Sequence, residues 1–562
     1  MARLMQRRFR YLAIALLAVA LLAVGCTSGP GTGGTDQGSG QAGGGTGTSG
    51  ADGGASSAGG EKVFRYNFTR DYGGARLDIA KGFTVLGPNL FAGLTRVDPD
   101  NQVIPGAAED WTTSEDGKVY TFHLRDDLSW SDGTPVTAHD FEFGWKRALD
   151  PETQSVRAWM LYLIEGAQAY NEGTGDRDGV QVRALDDRTL EVTLRQPAAY
   201  FPAFIAANNV FFAQPKHVIE EHGADWVNPE NIVFSGPFTV TEYVPNSVVV
   251  MERNPGWAPS LQQPAVDRVE FHIVPEASTA LAMYQAGELD FALGVPVAEV
   301  PNLREDPEYG DHYALMPEFR VATLEFAIER APWDNPKVRQ AVIWAIDQEG
   351  LSQGPFRGVY RPTYTLRPPE MPGGDDDYLR SVNDEERAKQ LLAEAGYPGG
   401  QGLPPVSIQV TNEEDSVISA EYIQHRLSTV LGMNVSVEVM DSATFLDTIQ
   451  SGRGHFWQSA VFTLSPDLYD LYNVVQGSLM NNSHWEDPYF ADLLERAASE
   501  GDPQRRLELY DQAERYITLD QAVIAPLYVT DRPTLIHPRV KNLREDRRSL
   551  WIYSWEYIDI VN

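Results

Sequence analysis

A single cysteine, Cys26, stands in a chain of 562 residues. No internal disulfide can form and no Cys-x-x-Cys metal knuckle exists, so the folded part must be held by packing. Basic residues are also scarce: 45 Lys and Arg face 79 Asp and Glu, a formal net charge of −34. No Lys/Arg-dense run follows residue 10, and a phosphate backbone would be repelled, which excludes nucleic acid as a partner. Apolar runs of near membrane-spanning length stop at Val24. G-x-S-x-G, H-E-x-x-H and a cysteine nucleophile are all missing from the body, which removes the common hydrolase routes. The acid runs Asp186-Asp187 and Asp375-Asp376-Asp377 sit in turn-like text and read as solvated charge rather than a catalytic pair. His217 and His222 with Glu220 and Glu221 could be drawn as a metal set, yet such a cluster at a helix end reads as exposed charge. No metal and no cofactor is expected, and the length predicts several lobes rather than one core.

What is present begins with an address. Arg3, Arg7, Arg8 and Arg10 precede an uninterrupted apolar stretch from Tyr11 to Val24, the layout of an export signal. Its end, Leu22-Ala23-Val24-Gly25-Cys26, resembles the lipobox of bacterial lipoproteins, with Ala23 where leucine is usual. That resemblance implies cleavage before Cys26, lipidation of its sulfur and anchoring on the extracytoplasmic face of the membrane. Residues 27–60 are mostly Gly, Ser, Thr and Ala, with no apolar run to offset ordering entropy, and read as a flexible tether spanning roughly 30–35 Å. Gly45-Thr46-Gly47-Thr48-Ser49-Gly50 inside it matches G-x-G-x-x-G only through low complexity, with neither strand nor helix beside it.

The body starts at residue 61. Val119 to Leu124 alternates as a strand with Tyr120, Phe122 and Leu124 on one face. Thr137 is placed to cap a helix with Asp140 three residues on, and Phe141, Trp145 and Ala148 form its stripe. Farther on, helices and strands alternate. Asn335-Pro336 and Asp384 each open a helix, 406–410 reads as a strand, a helix runs from about Ser419 to Leu431, Asn434 to Met440 is a strand and Ala443 to Gln450 a helix. This rhythm defines an α/β lobe.

With SDGTPVTAHDF (131–141) after YTFHLR, NLFAGL (89–94), ERNPGW (252–257), YQAGELDF (284–291), WDNPKVRQAVIWAID (333–347), AKQLLAEAGY (388–397) and AVIAPLY (522–528), the body resembles the family 5 solute-binding proteins of bacterial ABC importers. This is the oligopeptide, dipeptide and nickel type, and the oligopeptide-binding members are the nearest. The resemblance implies an α/β Venus-flytrap (periplasmic-binding-protein) fold of two lobes, with an extra domain inserted in the N-terminal lobe and three hinge crossings between the lobes. The layout it implies is signal peptide and lipobox over 1–26, tether 27–60, lobe I over 61–98 and 197–312, extra domain 99–196, lobe II over 313–530 and a return to lobe I over 531–562. It also implies a transport role rather than an enzyme, and a monomer that hands a small solute to a membrane permease with its ATPase subunits.

The candidate pocket departs from the family pattern. Peptide-binding members carry Gly-Trp with an Asp three residues later, whose carboxylate holds the peptide ammonium. An ungapped alignment from Phe445 puts Val461 at the Trp and Leu464 at the Asp, while a shifted register brings Asp467 into the acid's place. The family's carboxylate-receiving basic positions fall on Ile449, Gln458 and Val417. Loss of these charges predicts a neutral ligand, an oligosaccharide among the options, or a peptide held by its backbone. Trp457, Phe462, Thr463, Leu464, Asp467 and Asn412 are the candidate ligand-facing residues.

Overall fold

The computed structural model describes residues 60–69, 71–82, 84–99, 102–316, 318–369, 371, 373–374, 383–462, 468, 471–472, 482–543 and 555–561. Cys26 and the tether up to residue 59 lie outside the described residues, as do Thr463, Leu464 and Asp467.

Two large sheets organise the body. The first takes β1 (Val63–Phe68), β2 (Phe238–Val244), β3 (Val248–Arg253), β4 (Arg268–Ile273), β5 (Phe291–Leu293) and β6 (Tyr313–Met316). The second takes β7 (Arg320–Phe326), β8 (Val406–Thr411), β9 (Val435–Met440), β10 (Phe456–Phe462) and β11 (Ile524–Val529), after which β12 (Arg532–Ile536) returns to the first. The order in the first sheet is β6-β12-β5-β1-β4-β3-β2. Its centre, β1, pairs in parallel with β4 and β5, so it is flanked on both edges and its sequence VFRYNF is rich in aromatic residues. Phe64, Tyr66 and Phe68 fall on one face, where Tyr66 lies 5.1 Å from the ring of Phe291 and 5.6 Å from that of Phe271. Asn67 is buried and satisfied: its Oδ1 accepts from Leu293 N at 2.7 Å and its Nδ2 donates to Leu293 O at 3.2 Å, which ties β1 to β5.

Between β1 and β2 the chain builds a separate four-stranded antiparallel sheet, ordered Ala108–Thr113, Val119–Leu124, Thr189–Thr193, Val182–Asp186. Tyr120, Phe122 and Leu124 are buried, as are Phe141, Trp145 and Ala148 of helix α1 (Ala138–Leu149). Thr137 N donates to Asp140 Oδ2 at 2.8 Å, completing the capping box at the start of α1. Helix α2 (Phe201–Ala207) follows and contributes Phe201, Phe204 and Ile205 to the first lobe's core.

In the second lobe the order is Arg361–Pro362, β11-β7-β10-β8-β9. Helices α3 (Pro336–Ala345), α4 (Glu385–Glu394), α5 (Glu414–Leu431), α6 (Ser442–Gln450), α7 (Pro488–Ser499) and α8 (Pro503–Arg515) accompany it. Helix α5 starts five residues before the sequence pattern predicts. Its first turn carries Glu414 and Asp415, which favour the positive end of the helix dipole, and only later turns reach the core where apolar periodicity begins.

The structure corrects two expectations about the hinge. Tyr313–Met316 pairs with Arg532–Ile536 in the first sheet, so the second lobe begins after Met316 and not at 313. Among the described residues two crossings join the sheets, from β6 to β7 and from β11 to β12, rather than three. The number must be even: β1 opens the chain in the first sheet, and Asp559–Ile560 closes it beside Val540–Lys541 just beyond β12. Among the described residues no helix is long and apolar enough to cross a membrane.

Candidate ligand cleft at the hinge

Ligand sites in open α/β sheets form outside the carboxyl ends of parallel strands. In the second sheet β8 and β10 are parallel, with Ile408 opposite Phe456 and Gln409 opposite Trp457. Their C-terminal residues, Thr411 and Phe462, therefore finish on one edge. Strand β7 runs antiparallel to β10 and places Arg320 opposite Phe462, so both crossings leave from this same edge. The edge faces the first lobe.

Its side chains come from five separated segments. Arg320 and Phe462 are partly buried, and Asn412 is exposed just beyond β8. In the first turn of α5, Asp415 Oδ2 accepts from Tyr360 OH at 2.8 Å. The Tyr360 ring stacks on Tyr528 with centroids 5.2 Å apart, and Tyr528 OH accepts from Gln458 Nε2 at 2.9 Å. Burial, with the nearby Asp415 carboxylate, pushes both phenols well above the ordinary tyrosine value, so they stay protonated: Tyr360 serves as a neutral donor and Tyr528 as an acceptor.

Charge flanks the crossings. Glu318, 3% exposed, accepts from Arg532 Nε at 2.5 Å, and Asp531 Oδ1 accepts from Arg361 Nη2 at 2.9 Å. Burial disfavours the Arg532 charge, yet Glu318 outweighs it and raises the guanidinium above its ordinary value. Thr530 N donates to Arg320 O at 3.2 Å and knits the two crossings together. Away from the hinge the lobes meet where the Arg506 guanidinium of α8 lies 5.9 Å from the ring centroid of Tyr200, the residue before α2. Ala498 of α7 likewise joins the first lobe's core.

The sequence-predicted residues separate. Phe462 and Asn412 lie at the cleft edge, whereas Trp457 lies five positions down β10, roughly 17 Å away. It is 1% exposed, opposite Glu325, and its indole N–H donates to Glu325 Oε2 at 3.2 Å, so it belongs to the core and not to the cleft. Ile449 is buried on α6 and Val417 packs against the core from α5. Neither is a position where a lost charge would have met a ligand. The charge-free cleft expected from the alignment is not observed, because Arg320, Arg361, Asp415, Asp531 and Arg532 gather at the edge from segments the alignment did not weigh. His217 Nε2 pairs with Asp132 Oδ2 at 2.9 Å, and among the described residues no three His, Cys, Asp or Glu side chains converge to hold a metal.

The hinge residues carried a faint signal. Asp531-Arg532 follows a run that is apolar from Val523 to Val529, and a charged pair between two apolar strands marks a place where the sheet is left. No comparable pattern flagged Tyr360 or Asp415.

The profile of the bacterial extracellular solute-binding proteins, family 5 (middle), matches residues 102–482. The dipeptide-binding protein DppE of Bacillus subtilis strain 168 is 31% identical over 467 residues, covering 81% of this chain and 84% of its own length. The probable deoxycholate-binding periplasmic protein YgiS of Escherichia coli K12 is 32% identical over 510 residues, covering 88% and 93%. Among solved structures, a periplasmic oligopeptide-binding protein of Borrelia burgdorferi superposes with a TM-score of 0.75 at 28% identity, covering 89% of this chain and all of the other. The E. coli murein tripeptide-binding protein MppA gives 0.76 at 25% identity, covering 90% and 99%.

Proposed function

Because this chain belongs to family 5 of the bacterial extracellular solute-binding proteins, and is therefore a transport binding protein of two-lobed fold and not an enzyme, we propose that it is the peptide receptor of an ABC importer. In this reading it encloses a peptide between its lobes and delivers it to a permease driven by ATPase subunits. Lipid on Cys26 tethers the receptor to the extracytoplasmic face of the membrane, with residues 27–60 as the leash.

The observation that carries the reading is the hinge. Two adjacent strand crossings, one cleft edge with protonated tyrosines and mixed charges, and a second lobe-to-lobe contact at Tyr200 and Arg506 are what a closing receptor needs. The names of DppE and the oligopeptide-binding protein of B. burgdorferi support peptide as the ligand. YgiS supports a second reading, in which the ligand is deoxycholate-like.

Small-angle scattering and calorimetry with a mixed tripeptide library and, separately, deoxycholate test both. The expected result is heat on peptide addition and a fall in radius of gyration. Binding of deoxycholate alone would replace peptide by the second reading. Mass spectrometry of protein extracted from its native membrane tests the anchor: a diacylglyceryl mass on an N-terminal Cys26 is expected, and an unmodified terminus elsewhere would refute it.

A further inference from the structure

Among the described residues three arginines stand at the hinge end of the cleft, and two are neutralised: Arg361 by Asp531 and Arg532 by Glu318. Arg320 is partly buried, yet among the described residues its guanidinium meets no carboxylate and no hydrogen-bond acceptor. Its charge is felt by Tyr528, where it opposes the effect of burial. A second group close by is also unsatisfied. Gln458 is 7% exposed and gives its Nε2 to Tyr528, while its Oε1 has no donor.

Register puts both groups on one surface. Arg320 is opposite Phe462, Ala322 opposite Ala460 and Leu324 opposite Gln458, and since side chains alternate along a strand, all six point to the same face. On these two strands the face between Arg320 and Gln458 carries only the methyl groups of Ala322 and Ala460, and Tyr528 of β11, opposite Ala322, forms its side wall. Ala460 is partly exposed although β10 lies inside a six-stranded sheet. The result is a trough about 13 Å long, four residues of strand, open above Ala460. It has an unpaired cation at its outer end and an unpaired acceptor at its inner end.

We propose that this trough holds a carboxylate-bearing part of the peptide, with Arg320 receiving the carboxylate and Gln458 Oε1 accepting an N–H from the ligand chain. The inference rests on the peptide-receptor reading. A planar guanidinium pairs with a carboxylate through two parallel N–H···O bonds, and a partly desolvated cation gains most when the ligand brings its counter-charge. The carboxylate is either the peptide C-terminus or an acidic side chain.

Calorimetry on the intact protein separates these cases with three mixed tripeptide libraries: free acids without Asp or Glu, their C-terminal amides, and amides that contain Asp or Glu. The expected result is binding of the free acids at least tenfold tighter than the plain amides. Arg320→Gln should weaken the free acids at least tenfold and make acids and amides equal, a loss of discrimination that a purely structural defect would not produce. If the acidic amides bind as tightly as the free acids and Arg320→Gln removes that binding too, a side-chain carboxylate occupies the trough. Ala460→Asp supplies an internal carboxylate diagonally across from Arg320 and should abolish the same preference, which decides the matter if Arg320→Gln does not fold. Equal binding of acids and amides by the unmodified protein, or discrimination that survives both substitutions, would overturn the role of Arg320 while leaving the peptide receptor standing. Absence of binding by every library would overturn both.

Discussion

Glu318 and Arg532 lie on different crossings between the lobes, and Arg532 Nε donates to Glu318 Oε1 at 2.5 Å. One ion pair therefore clasps both strands of the hinge. With Glu318 almost wholly buried, Glu318→Gln leaves a partly buried guanidinium without its counter-charge. The expected loss is about 1–3 kcal/mol, reduced from the cost of a fully buried pair because Arg532 retains solvent contact. Urea unfolding of Glu318→Gln, Arg532→Gln and the double variant checks it, and the double variant should lose less than the two single losses added together.

The contact between Arg506 and Tyr200 joins the lobes directly, so it exists only while they are near each other. Arg506→Ala should shift the ligand-free protein toward open forms, seen as a larger radius of gyration, and weaken peptide binding by roughly two- to fivefold, the scale of one partly exposed cation–π contact. An unchanged radius of gyration would show that the pair does not hold the closed state.

Glu325 is buried, and burial pushes its carboxyl up to about 7 against hydrogen bonds from Trp457, Ser459 and Thr323 that pull it down. The fold thus favours the protonated acid. Between about pH 4.5 and 7 the native state holds a proton that the unfolded chain releases, so stability falls as pH rises through this window and stays reduced above it. The penalty at pH 8 relative to pH 4.5 is on the order of 3 kcal/mol. Glu325→Gln removes the titrating group. Its melting temperature should fall less than that of the unmodified protein between pH 5 and 8, and parallel curves would contradict the assignment.

Asp140 closes the capping box of α1 and also accepts weakly from Lys216 N at 3.3 Å. Asp140→Ala should cost about 1–2 kcal/mol in chemical unfolding while leaving peptide affinity unchanged, because the SDGTPVTAHDF stretch shapes a turn and a helix start rather than the cleft.

Local rules carried the reading of the sequence wherever one segment decides its own structure. The alternation of Val119 to Leu124, the cap at Thr137 and the helices after Asn335 and Asp384 formed as their patterns dictate. The cleft was less legible. Trp457 and Phe462 lie five residues apart on one strand, and only the direction of β10 relative to the hinge separates a core indole from a cleft ring. Arg320, Tyr360, Asp415, Gln458 and Tyr528 have no common pattern because sheet order, not sequence spacing, brings them together. An alignment that tracks lost charges also has no means of seeing charges supplied by other segments.

Lys62 Nζ lies 2.6 Å from Asp559 Oδ1, so the chain enters and leaves the body side by side, both times on the first lobe. A pull applied at Gly60 passes into β1 and the strands flanking it, and among the described residues the covalent routes onward to the second lobe are the two hinge strands. The first lobe is mechanically the stator and the second the rotor: a load applied at Gly60 enters the first lobe alone, and the hinge can open and shut without displacing that point.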